Sequence, residues 1–416
     1  MMRLLHTSDW HLGQTLHDFD RTYEHQCFLD WLLDTLEAEQ IDVLLIAGDI
    51  FDNSNPSVAS QQRFYHFLSA AKHRVPNLDI IIIAGNHDSP GRLEAPASLL
   101  EAFDAIVVGY ITRNTDSSIK VDRLVAPLKN RDGEISIWCL AVPFLRPGDV
   151  PRVETDGDPY LEGVKLLYHQ VLDRALSCRE SGQAIIALGH CHMRGGETSA
   201  DSERRIIVGG SEALPMDTFD PVIAYAALGH LHRAQKVGGQ ERVRYCGSPL
   251  PMSFSEIDYK HQVVRIDIDG ESIAQITSII IPRFVELLQV PTQPAPVDEV
   301  LEILKTLDFP DKPLEAQPYF QVRVLLNSPE PGLRARIESA LDVKPVRLVK
   351  IESSYGGNPN HKTDNILQSI DDLGRVQPED IFKKLYRISK YGGEPSTELL
   401  AAFNELLLES SERKKP

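Results

Sequence analysis

VLLIAGDIFD, residues 43–52, joins an uninterrupted apolar run to a glycine and two acids, and IIIIAGNHDS, residues 80–89, repeats the arrangement. An apolar run without polar alternation suits a strand covered on both faces, as parallel strands of an α/β sheet are. The residues able to do chemistry begin where each run stops. Between a first strand-like segment, Leu4 to His6, and the second, Val43 to Ala47, the residues Phe28, Leu29, Leu32, Leu33 and Leu36 recur at helical spacing, as on a crossover helix lying against a sheet. Further strands are expected at Ile80 to Ala84, Ala105 to Val108, Ile135 to Val142, Ala184 to Leu188, Arg205 to Val208, Ala224 to Leu228 and Val263 to Ile268. The fold class is α/β. The later strands follow one another with less helix between them, which predicts a mixed sheet or a sheet sandwich flanked by helices.

The chain has 416 residues, enough for about two to four domains and a sizeable core. Its 42% apolar and 25% charged residues are ordinary for a globular protein and exclude disordered and fibrous classes. No apolar run approaches the roughly 18 residues of a membrane span. The N-terminal MMRLLHTSDW lacks an extended apolar region followed by a small-residue cleavage site, so a cytoplasmic location is expected. Cys27, Cys139, Cys178, Cys191 and Cys246 form no CxxC pair and suit free thiols in a reducing compartment. With 43 basic against 60 acidic residues the net charge is −17, so any polyanion must be drawn in locally. Bound cations could do this, as could Arg233, Lys236, Arg242 and Arg244, or the stretch from Arg334 to Lys350.

Beyond Pro282 the texture changes. A Pro-rich PTQPAP at 291–296 precedes a helix-like DEVLEILKTL, a strand-like YFQVRVLL, a helix-like GLRARIESAL and a strand-like VRLVKI, together a compact βαβαβ unit. The organisation expected is a first domain over 1–282, a small α+β capping domain over 283–352, a Gly- and Asn-rich linker over 353–363 and a helical segment over 364–416. The last segment repeats apolar residues such as Ile366, Ile370, Ile381, Leu385, Leu399 and Phe403, too few for a core of its own and better suited to docking on a partner.

Five clusters of metal-ligand residues each follow an apolar strand: SDWH at 8–11, GDIFD at 48–52, GNHD at 85–88, GHCH at 189–192 and GHLH at 229–232. Open α/β sheets bind ligands at the carboxyl ends of their strands, so clusters distant in sequence can converge. Glycines before four of the clusters are expected to let the chain turn sharply at the sheet edge. His6, His17, His25, His66, His73, His169, His261 and His361 stand alone and read as structural or solvated. Carboxylates, imidazoles and one amide oxygen, with no thiolate required, suit divalent manganese, iron or zinc, and there are enough of them for two ions. Two ions about 3.5–4 Å apart need a bridge, which Asp49 at a strand end can supply. Such a pair polarises phosphoryl oxygens and makes hydroxide available near neutral pH.

The series Asp-x-His, Gly-Asp-x-x-Asp, Gly-Asn-His-Asp, Gly-His and Gly-His-x-His resembles the calcineurin-type metallophosphoesterase superfamily. SDWHLGQ, AGDIFD, AGNHDS, ALGHLHRAQ and RYCGSPLPMSF at 244–254, with the C-terminal βαβαβ unit and helical tail, are similar to the bacterial nuclease subunits of that superfamily that work with an SMC-like ATPase. The resemblance implies a metallophosphoesterase sheet sandwich in which Asp9, His11, Asp49 and His232 hold one ion and Asp49, Asn86, His190 and His230 the other. The ions implied are Mn2+ first, with Mg2+, Fe2+ and Zn2+ as alternatives. It makes His87 a non-ligand general acid, with Asp52 pairing to it. His192, two residues from the ligand His190, either joins the site or is its neighbour. Arg233, directly after the GHLH ligands, is expected next to a DNA phosphate. The activity implied is 3′-to-5′ exonuclease cleavage of duplex ends and endonuclease cleavage of single strands and hairpins, in DNA end processing, repair and recombination. The assembly implied is a homodimer bound to two ATPase subunits, with Phe64, Tyr65, Phe67 and Leu68 on a helix that could serve the dimer or the core.

A phosphomonoesterase would use the same five motifs. It has no evident need for a capping unit and a tethered helical pair, whereas a nuclease gated by an ATPase does. A purple acid phosphatase would carry a tyrosine in the second motif, and GDIFD has none. A DNA-end scaffold without catalysis requires lost ligands, and every expected ligand type is present.

Overall fold

The structure is a computed structural model that describes residues 1–355 other than 102, 200–212 and 329, together with Phe382, Tyr386 and Leu399. The strand expected at Arg205 to Val208 and, those three residues apart, the helical segment over 364–416 lie outside the described residues.

The apolar runs fall into two six-stranded sheets. The first has the order Ser272–Ile280, Gln262–Asp269, Met2–Thr7, Val43–Ala47, Asp79–Ile83, Ala105–Val108. Its last four strands are parallel, and the Gln262–Asp269 and Ser272–Ile280 hairpin adds on antiparallel. The crossovers are the helices Thr22–Ala38 and Val58–Arg74, the second capped by Ser57, whose hydroxyl accepts from Ser60 N at 3.1 Å. The second sheet has the order Gln235–Val237, Gln240–Tyr245, Tyr225–Gly229, Ala184–His190, Ile135–Ala141, Val125–Lys129, parallel inside and antiparallel at both edges.

Alternation along each strand explains why the runs are apolar throughout. Leu4, Val43, Leu45, Ile81 and Ile83 join Ile186, Leu188, Ala226 and Leu228 in one core, while Leu5, Leu44, Ile46, Ile80 and Ile82 pack with Phe28, Leu32, Phe64 and Phe67 of the helices in another. Each such Leu, Ile, Val or Phe side chain contributes about 1.5–3 kcal/mol by leaving water. The strands that sequence reading missed, Val125–Lys129, Gln235–Val237, Gln240–Tyr245 and Ser272–Ile280, lie at or next to a sheet edge, where polar residues interrupt the pattern.

The chain divides into two compact units, one of Met1–Leu288 with Phe309–Tyr319 and Pro345–Val349, the other of Gln289–Asp308 with Phe320–Lys344 and the chain from Lys350. The C-terminal region holds a three-stranded sheet, Leu287–Pro296, Tyr319–Leu326, Arg347–Tyr355, and the helices Val297–Thr306 and Leu333–Leu341. The Pro-rich stretch 291–296, read from sequence as a lead-in to a helix, is part of the edge strand Leu287–Pro296. An edge strand leaves one row of N–H groups unpaired, so it tolerates proline. Among the described residues no helix is long and apolar enough to cross a membrane.

Candidate metal centre

The parallel strands of the two sheets deliver the five motifs to one place. Asp9 N donates to Gly48 O and His11 N to Asp49 O, both at 3.0 Å, so the SDWH and GDIFD segments run side by side. Trp10 between them is fully buried, edge-on to Phe28, Phe64 and Phe67 at 5.2–6.1 Å, and its Nε1 donates to Thr7 Oγ1 at 2.9 Å. This anchor fixes the directions of its two neighbours. Asp9, His11 and Asp49 have φ of 54°, 46° and 50°, and His230 has 107°. Left-handed backbone at a residue other than glycine costs about 1–3 kcal/mol, and surrounding packing must hold it there.

Of the four glycines expected to turn the chain, Gly48 alone has positive φ, 88°. Gly229 serves differently: a Cβ there would overlap the Ala47 carbonyl oxygen, so the absence of a side chain lets the second sheet approach the first.

Asp9, His11 and His232 offer ligand atoms within 4.8 Å of one another, and His11 Nε2 lies 3.7 Å from Asp49 Oδ2. On the other side of Asp49, its Oδ2 is 3.4 Å from His190 Nε2, while Asn86 Oδ1 is 3.0 Å from His190 Nε2 and 3.1 Å from His230 Nδ1. Donor atoms about 2.0–2.2 Å from a common divalent ion stand about 3.0–3.5 Å apart, so the second group has the spacing of a coordination shell. His11 Nε2 is buried and has no hydrogen-bond partner among the described residues, as a nitrogen reserved for an ion would be. The residues present fit two divalent ions.

The other ring nitrogens are spoken for. His190 Nδ1 donates to Ala47 O at 2.9 Å, and His232 Nδ1 to Glu256 Oε1 at 3.3 Å, which turns each Nε2 toward the candidate centre. Glu256 is fully buried and its other oxygen accepts from Met252 N at 2.7 Å. Electrostatics point the same way. Burial would raise the Asp49 pKa, but His190, His11 and His87 hold it far below the usual carboxylate range. Burial opposes charge on His190, yet Asp49 outweighs it and lifts the pKa to about 9. Burial and the charge of His190 push His230 well below its ordinary value, and burial raises Asp9. A fixed carboxylate thus demands positive charge beside it.

His87 is half-buried, its ring 4.9 Å from that of His11, and its amide donates to Asp49 Oδ1 at 2.8 Å. Its Nδ1 donates at 2.6 Å to the main-chain carbonyl of Asp52, whose carboxylate stands 3.5 Å from His11 Nδ1. The Asp52 main chain thus helps to orient His87, and the Asp52 carboxylate and the His11 and His87 rings offer atoms within 4.8 Å of one another. Asp88 accepts from Gly85, Ile50 and Phe51 amides at 2.8–3.2 Å, tying the GNHD and GDIFD segments together; burial, then Asp49, raises it to about 6. Sequence reading gave no role to Asp88, the last residue of GNHD, or to Glu256, two residues beyond RYCGSPLPMSF. The His192 ring is 6.3 Å from that of His230, and His192 is in none of the compact ligand groups. Arg233 is exposed, ion-paired to Glu197 and 5.6 Å over the Tyr259 ring. His6, His25 and His261 are buried and pushed by burial to about 3, 3 and 4.

A sheet sandwich with these donors at its strand ends defines a metal-dependent phosphoester hydrolase. The pattern of the calcineurin-like phosphoesterases matches residues 2–234, and that of the type 5 capsule protein repressor C-terminal domain matches residues 283–389. The SbcD subunit of the nuclease SbcCD of Rhodobacter capsulatus is 38% identical over 387 residues, 92% of this chain and 93% of that one. Its counterpart in Escherichia coli is 29% identical over 401 residues, 92% of each chain. The chain belongs to the SbcD family of calcineurin-like phosphoesterases, the nuclease subunits of SbcCD.

Proposed function

We propose that the chain hydrolyses DNA phosphodiesters with two divalent ions, manganese foremost, one held by Asp9, His11, Asp49 and His232 and the other by Asp49, Asn86, His190 and His230. The observation that supports this most is the position of Asp49 Oδ2, 3.7 Å from His11 Nε2 and 3.4 Å from His190 Nε2, between the two groups. When bound, such ions polarise the phosphoryl oxygen and activate the attacking water near neutral pH. His87, with Nδ1 committed to the Asp52 carbonyl, gives a proton from Nε2 to the departing oxygen. The oxygen and imidazole donors suit divalent manganese, iron or zinc.

The chain acts as the nuclease component of a complex with SbcC, an SMC-like ATPase, as a homodimer carrying two SbcC subunits in the cytoplasm. Its reactions are 3′-to-5′ degradation of duplex ends and endonuclease cleavage of single strands and hairpins, in DNA repair and recombination. Residues 1–282 form the nuclease domain, 283–352 a capping domain that contacts DNA, 353–363 a linker, and 364–416 a segment that docks on the base of the SbcC coiled coil.

With manganese, the purified chain should cleave a linear duplex and a single-stranded oligonucleotide far faster than an aryl phosphomonoester; the reverse order would make it a phosphomonoesterase. Removing residues 360–416 should preserve manganese-dependent single-strand cleavage, because every candidate ligand precedes residue 233. The truncated chain should lose co-purification with SbcC and ATP-stimulated digestion of duplex ends. A truncated chain that still forms a stable complex with SbcC in gel filtration would contradict the docking role.

A further inference from the structure

The segment PFLRPGDV, residues 143–150, contains none of the candidate ligands, yet it borders the second group of them. Phe144 N donates to Ala84 O at 2.8 Å, which fastens the segment to the residue before GNHD. The Phe144 ring stands edge-on to His190, 6.3 Å between centroids. Over the same ring, 5.5 Å from its centroid, lies the guanidinium of Arg146.

The backbone on both sides of Arg146 is pinned. Tyr160 Oη donates to Leu145 O at 2.8 Å, and Arg146 N donates to Asp149 Oδ2 at 2.7 Å. Arg113 Nη2 donates to the carbonyls of Gly148, Asp149 and Val150 at 3.2–3.3 Å. The side chain itself is exposed, and among the described residues no carboxylate pairs with its guanidinium. Arg233 and Arg244, by contrast, are ion-paired to Glu197 and Glu241. In a chain of net charge −17, a guanidinium with no paired carboxylate among the described residues, on a loop held by these hydrogen bonds beside a candidate ligand, is a preformed anion contact.

We propose that Arg146 binds a backbone phosphate adjoining the scissile one, with Phe144 as the platform that holds the guanidinium in place. Guanidinium presents a planar fork that matches two phosphate oxygens, and stacking on an aromatic face limits the freedom lost on binding. The assignment rests on the nuclease reading and makes it specific: a strand offers the flanking phosphate, whereas a small diester offers only the scissile one.

The test uses the full chain with manganese, comparing Arg146→Glu and Arg146→Lys on a single-stranded oligonucleotide and on bis(p-nitrophenyl) phosphate. For Arg146→Glu the oligonucleotide KM should rise by about tenfold or more, as a lost charged contact gives. The dependence of oligonucleotide affinity on salt should shallow by about one unit of slope. Loss on the small diester should be far smaller than on the oligonucleotide, and Arg146→Lys should recover part of the affinity. Equal losses on both substrates would mean that Arg146 merely supports the fold around His190, and an unchanged oligonucleotide KM and salt slope would remove it from the DNA path; either overturns the proposal. An unmodified chain that hydrolyses the diester but no oligonucleotide would instead defeat the nuclease reading, and this proposal with it.

Discussion

Around Asp9, His11 and His232, the imidazole of His232 is aimed by the Glu256 carboxylate, a side chain on the short 3-10 turn Phe254–Glu256 that reaches the site only through tertiary packing. Around Asn86, His190 and His230, the imidazole of His190 is aimed by the Ala47 carbonyl, main chain at the end of a central strand. Both devices fix a tautomer, but they differ in what can undo them. The carbonyl comes with the sheet and no substitution removes it. The carboxylate can be deleted while the sheet survives, so the two halves of the centre should respond separately to mutation.

The group that belongs to both halves gives the largest effect. Asp49→Asn keeps the shape but loses the charge between His11 and His190, so both ions should weaken and cleavage fall below detection; full manganese affinity in one half would show that Asp49 serves only the other. His87→Gln removes the proposed proton donor and none of the residues proposed to hold the two ions. Turnover should drop roughly 10²–10⁴-fold while calorimetry still counts two ions. A lost ion in that variant would move His87 into the ligand set. Glu256→Gln has the smallest and most selective effect: manganese affinity in the His232 half should fall about 10–100-fold, with the His190 half unchanged in the same titration. Equal weakening of both halves would erase the distinction between the two supports.

The candidate donors could be read because their chemistry is written in side chains. Asp9, His11, Asp49, Asn86, His190, His230 and His232 each follow an apolar run whose strand character is plain, and strands that end together bring such residues together. Glu256 was not legible, since an isolated acid in FSE has no period or spacing to separate it from surface glutamates, and only packing reveals its partner. The contact from His87 to the Asp52 carbonyl was not legible, because main-chain atoms leave no mark in a sequence. Left-handed backbone at Asp9, His11, Asp49 and His230 is equally silent, because residues other than glycine adopt it only where packing compels them. In the fold, the central strands could be read from Val43 to Ala47 and Ile80 to Ala84. The edge strand Ala105–Val108 could be read too, but Val125–Lys129, Gln235–Val237, Ser272–Ile280 and Leu287–Pro296 could not, because half-solvated residues and the prolines at 291–296 break the patterns on which reading depends.

The central claim is that two ions share Asp49. Crystals grown with manganese and measured for its anomalous scattering test it directly. Two peaks about 3.5–4 Å apart are predicted, with Asp49 touching both, His232 and His11 on one, Asn86, His190 and His230 on the other, and His87 on neither. A single peak, or two peaks of which one lies beyond the reach of Asp49, would contradict the account.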